Sequence, residues 1–235
     1  MIQLPWLGPN PSLFPPLEEA LSDPEGLLAA GGDLTPSRLV NAYTQGIFPW
    51  YEDDQPILWW SPNPRTVVTP DAVHVSRSLR KQLNKNVFSV TCDSCFERVI
   101  DACAEPRSEQ GGTWITEEMR SAYIELHRLG IAHSVEVFYQ DQLVGGLYGV
   151  SLGKVFFGES MFSRMSNASK VAFATLGHNL ALWGFELIDC QVHSNHLTSL
   201  GASNMQREEF AERLTELIGS NSASNWPRHA QLVSA

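Results

Sequence analysis

The sequence predicts an α+β fold: a mixed β-sheet flanked by helices, preceded by a small N-terminal α/β domain. Three observations carry this. HSVEVFY, LVGGLYGV and VFFGESMF follow one another with strand periodicity, separated by turns at Gln140–Gln142 and Ser151–Lys154, as in an antiparallel meander. ASKVAFATLGHNLALW then has helical period and length, and LIDCQV after it is a strand able to pair in parallel. Finally, a stretch dense in proline and tryptophan, GIFPWYEDDQPILWWSPNPR, places a boundary between residues 1–64 and 65–235.

Taken in order, the proline-rich first dozen residues are expected to lie extended over a neighbouring surface. Thr35-Pro36 begins a helix, threonine as cap and proline in the first turn, that stops at Gly46. HVSRSLRKQLNK places Val75, Leu79 and Leu83 at four-residue steps and so predicts a helix over 74–85. Asp93 is expected to cap a helix through Phe96 and Cys103, and Thr116 one that ends at Gly130. Gly145, Gly146 and Gly149 weaken the middle strand of the meander, which implies a bulge or a close backbone approach. Asn167 or Ser166 caps the long helix, Gly184 ends it, and REEFAERLTELIG forms the last helix before a tail of linker-like composition.

At 235 residues with a formal charge of -10, the chain is not coated in basic residues for nucleic acid, so only a local patch could serve. Arg77, Arg80, Lys81 and Lys85 fall away from the apolar stripe of their helix and form such a patch, either a phosphate-contact face or a solvated one. Trp50, Trp59 and Trp60 are either core staples or surfaces on which a base stacks. There is no signal peptide and no apolar run long enough for a bilayer, so a cytoplasmic protein without membrane partners is expected. Four cysteines fit that compartment. Cys92-x-x-Cys95 lacks a second ligand pair, so no metal is expected.

The run from Val155 to Val192 holds the chemistry. Glu159 lies within one strand, and Asp189 and Gln191 lie within another. Alternation puts residues two apart on one strand face, so Asp189 and Gln191 are expected to point the same way, opposite Ile188 and Cys190. Carboxylates inside apolar strands must be paired, hydrated or given a ligand. A functional cluster and a structural hydrogen-bond network are both open.

The meander, helix and following strand resemble the GCN5-related acetyltransferase fold, which makes an acetyl-CoA-dependent N-acetyltransferase one possible function. The sequence departs from it where a glycine-rich pyrophosphate loop would stand, having SRMSNASK there. A more specific resemblance is carried by GGDLTPSRLVNAYTQGIFPWYEDDQPILWWSPNPR, GGTWIT, HSVEV, LVGGLYGV, FFGESMFSR, NASK and LIDCQV followed by HLTSLGA. These blocks, from about Leu17 to Ala202 and in this order, are similar to the bacterial leucyl/phenylalanyl-tRNA-protein transferases. The resemblance implies transfer of Leu or Phe, less often Met, from leucyl-tRNA or phenylalanyl-tRNA to the N-terminal Arg or Lys of acceptor proteins, marking them for degradation. It implies no cofactor and is read with a monomer. By the same resemblance Asp189 and Gln191 match the catalytic pair, and Glu159 an acid near the aminoacyl group. Leu147, Phe156, Met161 and Ile188 match the pocket for the donor side chain, Trp50 and Trp114 the tryptophans that hold the terminal adenosine, and Arg77, Arg80, Lys81 and Lys85 a tRNA-backbone helix.

Overall fold

The computed structural model describes residues 4–105, 115–219 and 224–233. In the N-terminal region β1 (Trp6–Leu7), β2 (Leu27–Gly31), helix α1 (Pro36–Thr44), β3 (Phe48–Pro49) and β4 (Leu58–Trp60) form a four-stranded sheet in the order β1-β2-β4-β3 with one helix beside it. Then come β5 (Arg65–Val68), α2 (Arg77–Leu83), β6 (Ser89–Cys92), α3 (Phe96–Ala104) and α4 (Glu117–Arg128). The predicted meander follows as β7 (Ala132–Tyr139), β8 (Gln142–Leu152) and β9 (Val155–Ser163). Helix α5 (Ala168–Leu182), β10 (Leu187–Gln191), α6 (Asn195–Ser199), β11 (Ser203–Met205) and α7 (Arg207–Ile218) complete the chain. The main sheet has seven strands in the order β11-β5-β10-β9-β8-β7-β6, and only β9 and β10 pair in parallel, as a strand-helix-strand crossover requires. The expected α+β mixed sheet with flanking helices is therefore present.

Apolar residues leave both faces of this sheet. Tyr148, Val150, Val155, Phe157 and Leu187 pack with α1, α3, α4, α7 and the small sheet. Val135, Val137, Phe156 and Ile188 pack under α5, whose Val171, Ala172, Leu176 and Leu180 are almost wholly buried. Burial on both sides explains why α5 has no polar stripe.

Several expectations are corrected. Helix α2 covers only 77–83, because Ser76 accepts from the Leu79 N–H and caps it there, and Lys85 lies beyond its end. Asp93 does not cap α3: its carboxylate takes the His133 ring at 2.8 Å and the Ser134 N–H at 2.9 Å, and accepts from Trp226 Nε1 at 3.1 Å. That last hydrogen bond helps hold the tail down. Trp226 stacks on His133 with centroids 4.2 Å apart, and Val233 exchanges two 2.8 Å hydrogen bonds with the Asn179 side chain. No helix among the described residues is long and apolar enough to cross a membrane.

Candidate active site

The parallel pairing of β9 and β10 runs through Leu187–Val155, Ile188–Phe156 and Asp189–Phe157 and then stops. Beyond it each strand is irregular. Against β8, Tyr148 pairs with Ser160 and Gly149 with Gly158, leaving Glu159 as an extra residue. Against β5, Asp189 pairs with Val67 and Gln191 with Thr66, leaving Cys190 extra. Two bulges side by side part the strands and re-aim their side chains. Gly149 serves this bend: a Cβ there would lie 2.2 Å from the Phe157 carbonyl oxygen and 2.6 Å from the Phe156 ring. Its absence of side chain admits the chain's own backbone.

A cavity of about 540 Å³ opens at the parting. Leu147, Phe156, Met161 and Ile188, the four predicted pocket residues, all line it, joined by Phe173 and Leu176 of α5. Glu159 and Gln191 are in its wall, and the Phe48-Pro49-Trp50 segment of the small sheet forms part of its rim. Most of the remaining lining is apolar, with Tyr148, Ser160, Ser194 and His196 adding polar groups, which suits a hydrocarbon side chain with a polar group at one end.

Glu159 is the hub of the polar wall. Its Oε1 accepts from Gln191 Nε2 at 2.8 Å, and its Oε2 accepts from the Tyr123 hydroxyl at 3.0 Å, itself hydrogen-bonded to the Tyr43 hydroxyl. Burial pushes the Glu159 carboxyl up to about 7, against the hydrogen bonds from Tyr43 and Tyr123 that favour its charge. The two tyrosine hydroxyls are in turn held well above their ordinary range by burial and by the charge of Glu159.

Asp189 behaves differently from its neighbour. It is wholly buried, does not line the cavity, and meets Arg65 through a two-pronged ion pair, Nε to Oδ1 at 2.8 Å and Nη2 to Oδ2 at 2.7 Å. Its Oδ1 also accepts the Gln191 N–H at 2.9 Å. Gln191 has φ of 61°, a left-handed conformation that turns its side chain into the cavity that Ile188 and Cys190 also line. The expectation that Asp189 and Gln191 point the same way is therefore wrong, because simple alternation fails across a bulge.

Trp50 stands at the rim, 45% exposed, with its carbonyl accepting from Trp60 Nε1 at 2.7 Å. Trp59 is a staple, fully buried and donating to the Gly31 carbonyl at 2.9 Å. Trp114 lies outside the described residues. Arg77, Arg80, Lys81 and Lys85 are all exposed, line no part of the cavity, and form no ion pair among the described residues. Helix α2 is tied to the start of α5 where Asn167 Nδ2 donates to Gln82 Oε1 at 3.0 Å. Sequence reasoning missed Arg65, Tyr43 and Tyr123. Each sits in an apolar pattern that reads as core, and only the unexplained arginine at the head of RTVV was a visible signal.

The pattern of the leucyl/phenylalanyl-tRNA protein transferase family matches residues 67–215, and that of the same family's N-terminal domain matches residues 32–63. A leucyl/phenylalanyl-tRNA-protein transferase of Pseudomonas entomophila strain L48 is 58% identical over 225 residues, covering 96% of this chain and 100% of that one. The chain belongs to the leucyl/phenylalanyl-tRNA protein transferase family. It is an aminoacyltransferase, which sets aside the acetyl-CoA alternative. A transferase of the same name from Pseudomonas syringae pv. tomato is 60% identical over 211 residues, with 90% of this chain and 92% of the relative covered. Among solved structures, a GCN5-related N-acetyltransferase from Kribbella flavida aligns at a TM-score of 0.41 and 10% identity, covering 72% of this chain and 60% of that one.

Proposed function

We propose that this transferase moves a leucyl or phenylalanyl group, less often methionyl, from its charged tRNA to the N-terminal Arg or Lys of acceptor proteins. It acts as a cytoplasmic monomer and marks them for degradation. The observation that carries the reading is the apolar cavity with Glu159 and Gln191 together in its wall. Leu147, Phe156, Met161 and Ile188 take the donor side chain, and a charged one is rejected by the cost of desolvation. Trp50, with Trp114, stacks on the terminal adenosine, and the α2 cations meet the tRNA backbone.

The donor ester is already activated, so the acceptor amine attacks its carbonyl carbon, the tetrahedral oxyanion collapses, and the 3′-oxygen of the adenosine leaves with the proton. An α-amine has an ordinary pKa of about 7.7 to 8.0, so part of it is neutral near pH 7 and modest assistance suffices. Most of the barrier is orientation. Gln191 spends its amide nitrogen on Glu159, and its carbonyl oxygen makes no hydrogen bond among the described residues, which leaves it to accept from the attacking amine. Glu159 holds the donor's α-ammonium, whose charge would draw its carboxyl into the ionised form. Asp189 acts by position, through the Gln191 backbone. The change from a four-stranded to a seven-stranded sheet between Trp60 and Arg65 supports a division into domains 1–64 and 65–235.

The test is transfer of labelled Leu and Phe from tRNA to peptides starting with Arg, Lys or Ala. Label on the first two alone is expected; equal labelling of all three, or of none, contradicts the reading.

A further inference from the structure

We propose that Arg65 is a positioning residue for the transfer reaction, locking the Gln191 turn and the Trp50 rim to one another; this rests on the function proposed above. Arg65 is 1% exposed and does not line the cavity, yet three of its nitrogens are committed. Nε and Nη2 grip Asp189, and Nη1 donates to the Gly46 carbonyl at 3.0 Å. The guanidinium lies 4.8 Å from the centre of the Phe48 ring and 4.7 Å from that of Phe210, so it is also held by the rings of the small sheet and α7.

Each grip ends on a part of the site. A left-handed backbone is disfavoured for a residue with a side chain, and Gln191 is held in one by the hydrogen bond from its N–H to Asp189 Oδ1. That oxygen is available only while the fork fixes the carboxylate. On the other side the segment after Gly46 becomes Phe48-Pro49-Trp50, all three of which line the cavity. One rigid cation therefore sets the distance between the amide proposed to meet the amine and the tryptophan proposed to hold the adenosine. Lysine, a single point charge, cannot reproduce a two-pronged grip together with a third donor aimed elsewhere.

Steady-state transfer of Phe from Phe-tRNA to an Arg-starting peptide by Arg65→Lys, Arg65→Met, Asp189→Asn and the double variant Arg65→Met/Asp189→Asn tests this, with wild type in parallel and each variant corrected for its folded fraction. Misplacing reacting groups by about 1 Å can cost about 100-fold, so Arg65→Lys should lose about that much in kcat and show a raised KM for Phe-tRNA, with KM for the peptide unchanged. The double variant should be no worse than its poorer single. Folded Arg65→Lys with wild-type kcat and KM, or a double variant whose losses multiply, overturns the proposal. Should the Arg65 variants not fold, Asp189→Asn decides alone: the same kcat loss supports the proposal and wild-type kcat refutes it. An inactive wild type sinks the proposed function instead, and the positioning claim is then read from binding of a 3′-phenylalanylamino-adenosine analogue, which Arg65→Lys or Asp189→Asn must weaken at least tenfold; unchanged binding refutes it.

Discussion

The side-chain amide of Gln191 donates to Oε1 of Glu159 across 2.8 Å, bridging β9 and β10 beyond the point where their backbones stop pairing. An ionised carboxylate can only accept, so the amide nitrogen faces Glu159 and the carbonyl oxygen is turned elsewhere. The polarity of one side chain thus fixes that of the other.

Gln191→Glu reverses this logic. It sets two carboxyl groups at hydrogen-bond distance in a buried wall, where both cannot ionise. Transfer at pH 7 is expected to fall at least about tenfold, with the acid side of its pH profile moved upward. A rate and profile identical to wild type would remove Gln191 from the reaction.

Glu159 carries a cost in stability that depends on pH. Its carboxyl is near 7 when folded and near 4.5 in an unstructured chain, so the folded state keeps a proton that the unfolded chain releases between those values. Its contribution is intact below about 4.5 and lost as pH rises through about 7. Glu159→Gln has no charge to bury: its amide oxygen accepts from Gln191 Nε2 in place of Oε1, and its NH2 donates to the Tyr123 hydroxyl, which accepts instead of donating. It should therefore be more stable than wild type at pH 8 by about 3 kcal/mol, and no more stable at pH 4.5. Urea unfolding at the two pH values checks this, and an equal difference at both would show that the charge is not the cause.

Leu147 faces the cavity and is 3% exposed. Leu147→Trp fills part of the space, so Phe transfer should fall more than Leu transfer, by several-fold in the ratio of kcat/KM; one extra methylene in such a pocket already shifts discrimination by about 1 to 3 kcal/mol. Equal losses for both donors would mean that position 147 does not meet the side chain.

The α2 cations can be reversed without breaking any ion pair among the described residues. Arg77→Glu with Lys81→Glu should leave unfolding unchanged and weaken tRNA binding, with the slope of log affinity against log salt reduced by about one for each phosphate no longer neutralised. An unchanged slope would make this a solvated face.

The sheet was legible because its signals are local. Period-2 runs and their turns predicted β7, β8 and β9, and the apolar positions of LIDCQV predicted β10. Strands β6 and β11 are short edge strands whose pairing partners lie far away in sequence, so nothing in Ser89–Cys92 or Ser203–Met205 announces them. The cavity-lining residues were recovered through the family resemblance, since Phe156 and Ile188 are indistinguishable from core by pattern. What failed was the direction of Asp189. A bulge is a long-range fact, created by the partner strand, and one extra residue exchanges the two faces. Arg65 stood out at the head of RTVV, but its role was hidden for the same reason: its carboxylate partner is 124 residues away.

The central claim is that the cavity at the parting of β9 and β10 receives the amino-acid side chain. A crystal structure with a 3′-phenylalanylamino-adenosine analogue tests it most directly. The phenyl ring is predicted against Met161 and Ile188, the carbonyl beside Gln191, and the adenine on Trp50. A ring bound elsewhere, with this cavity still empty, would contradict the account.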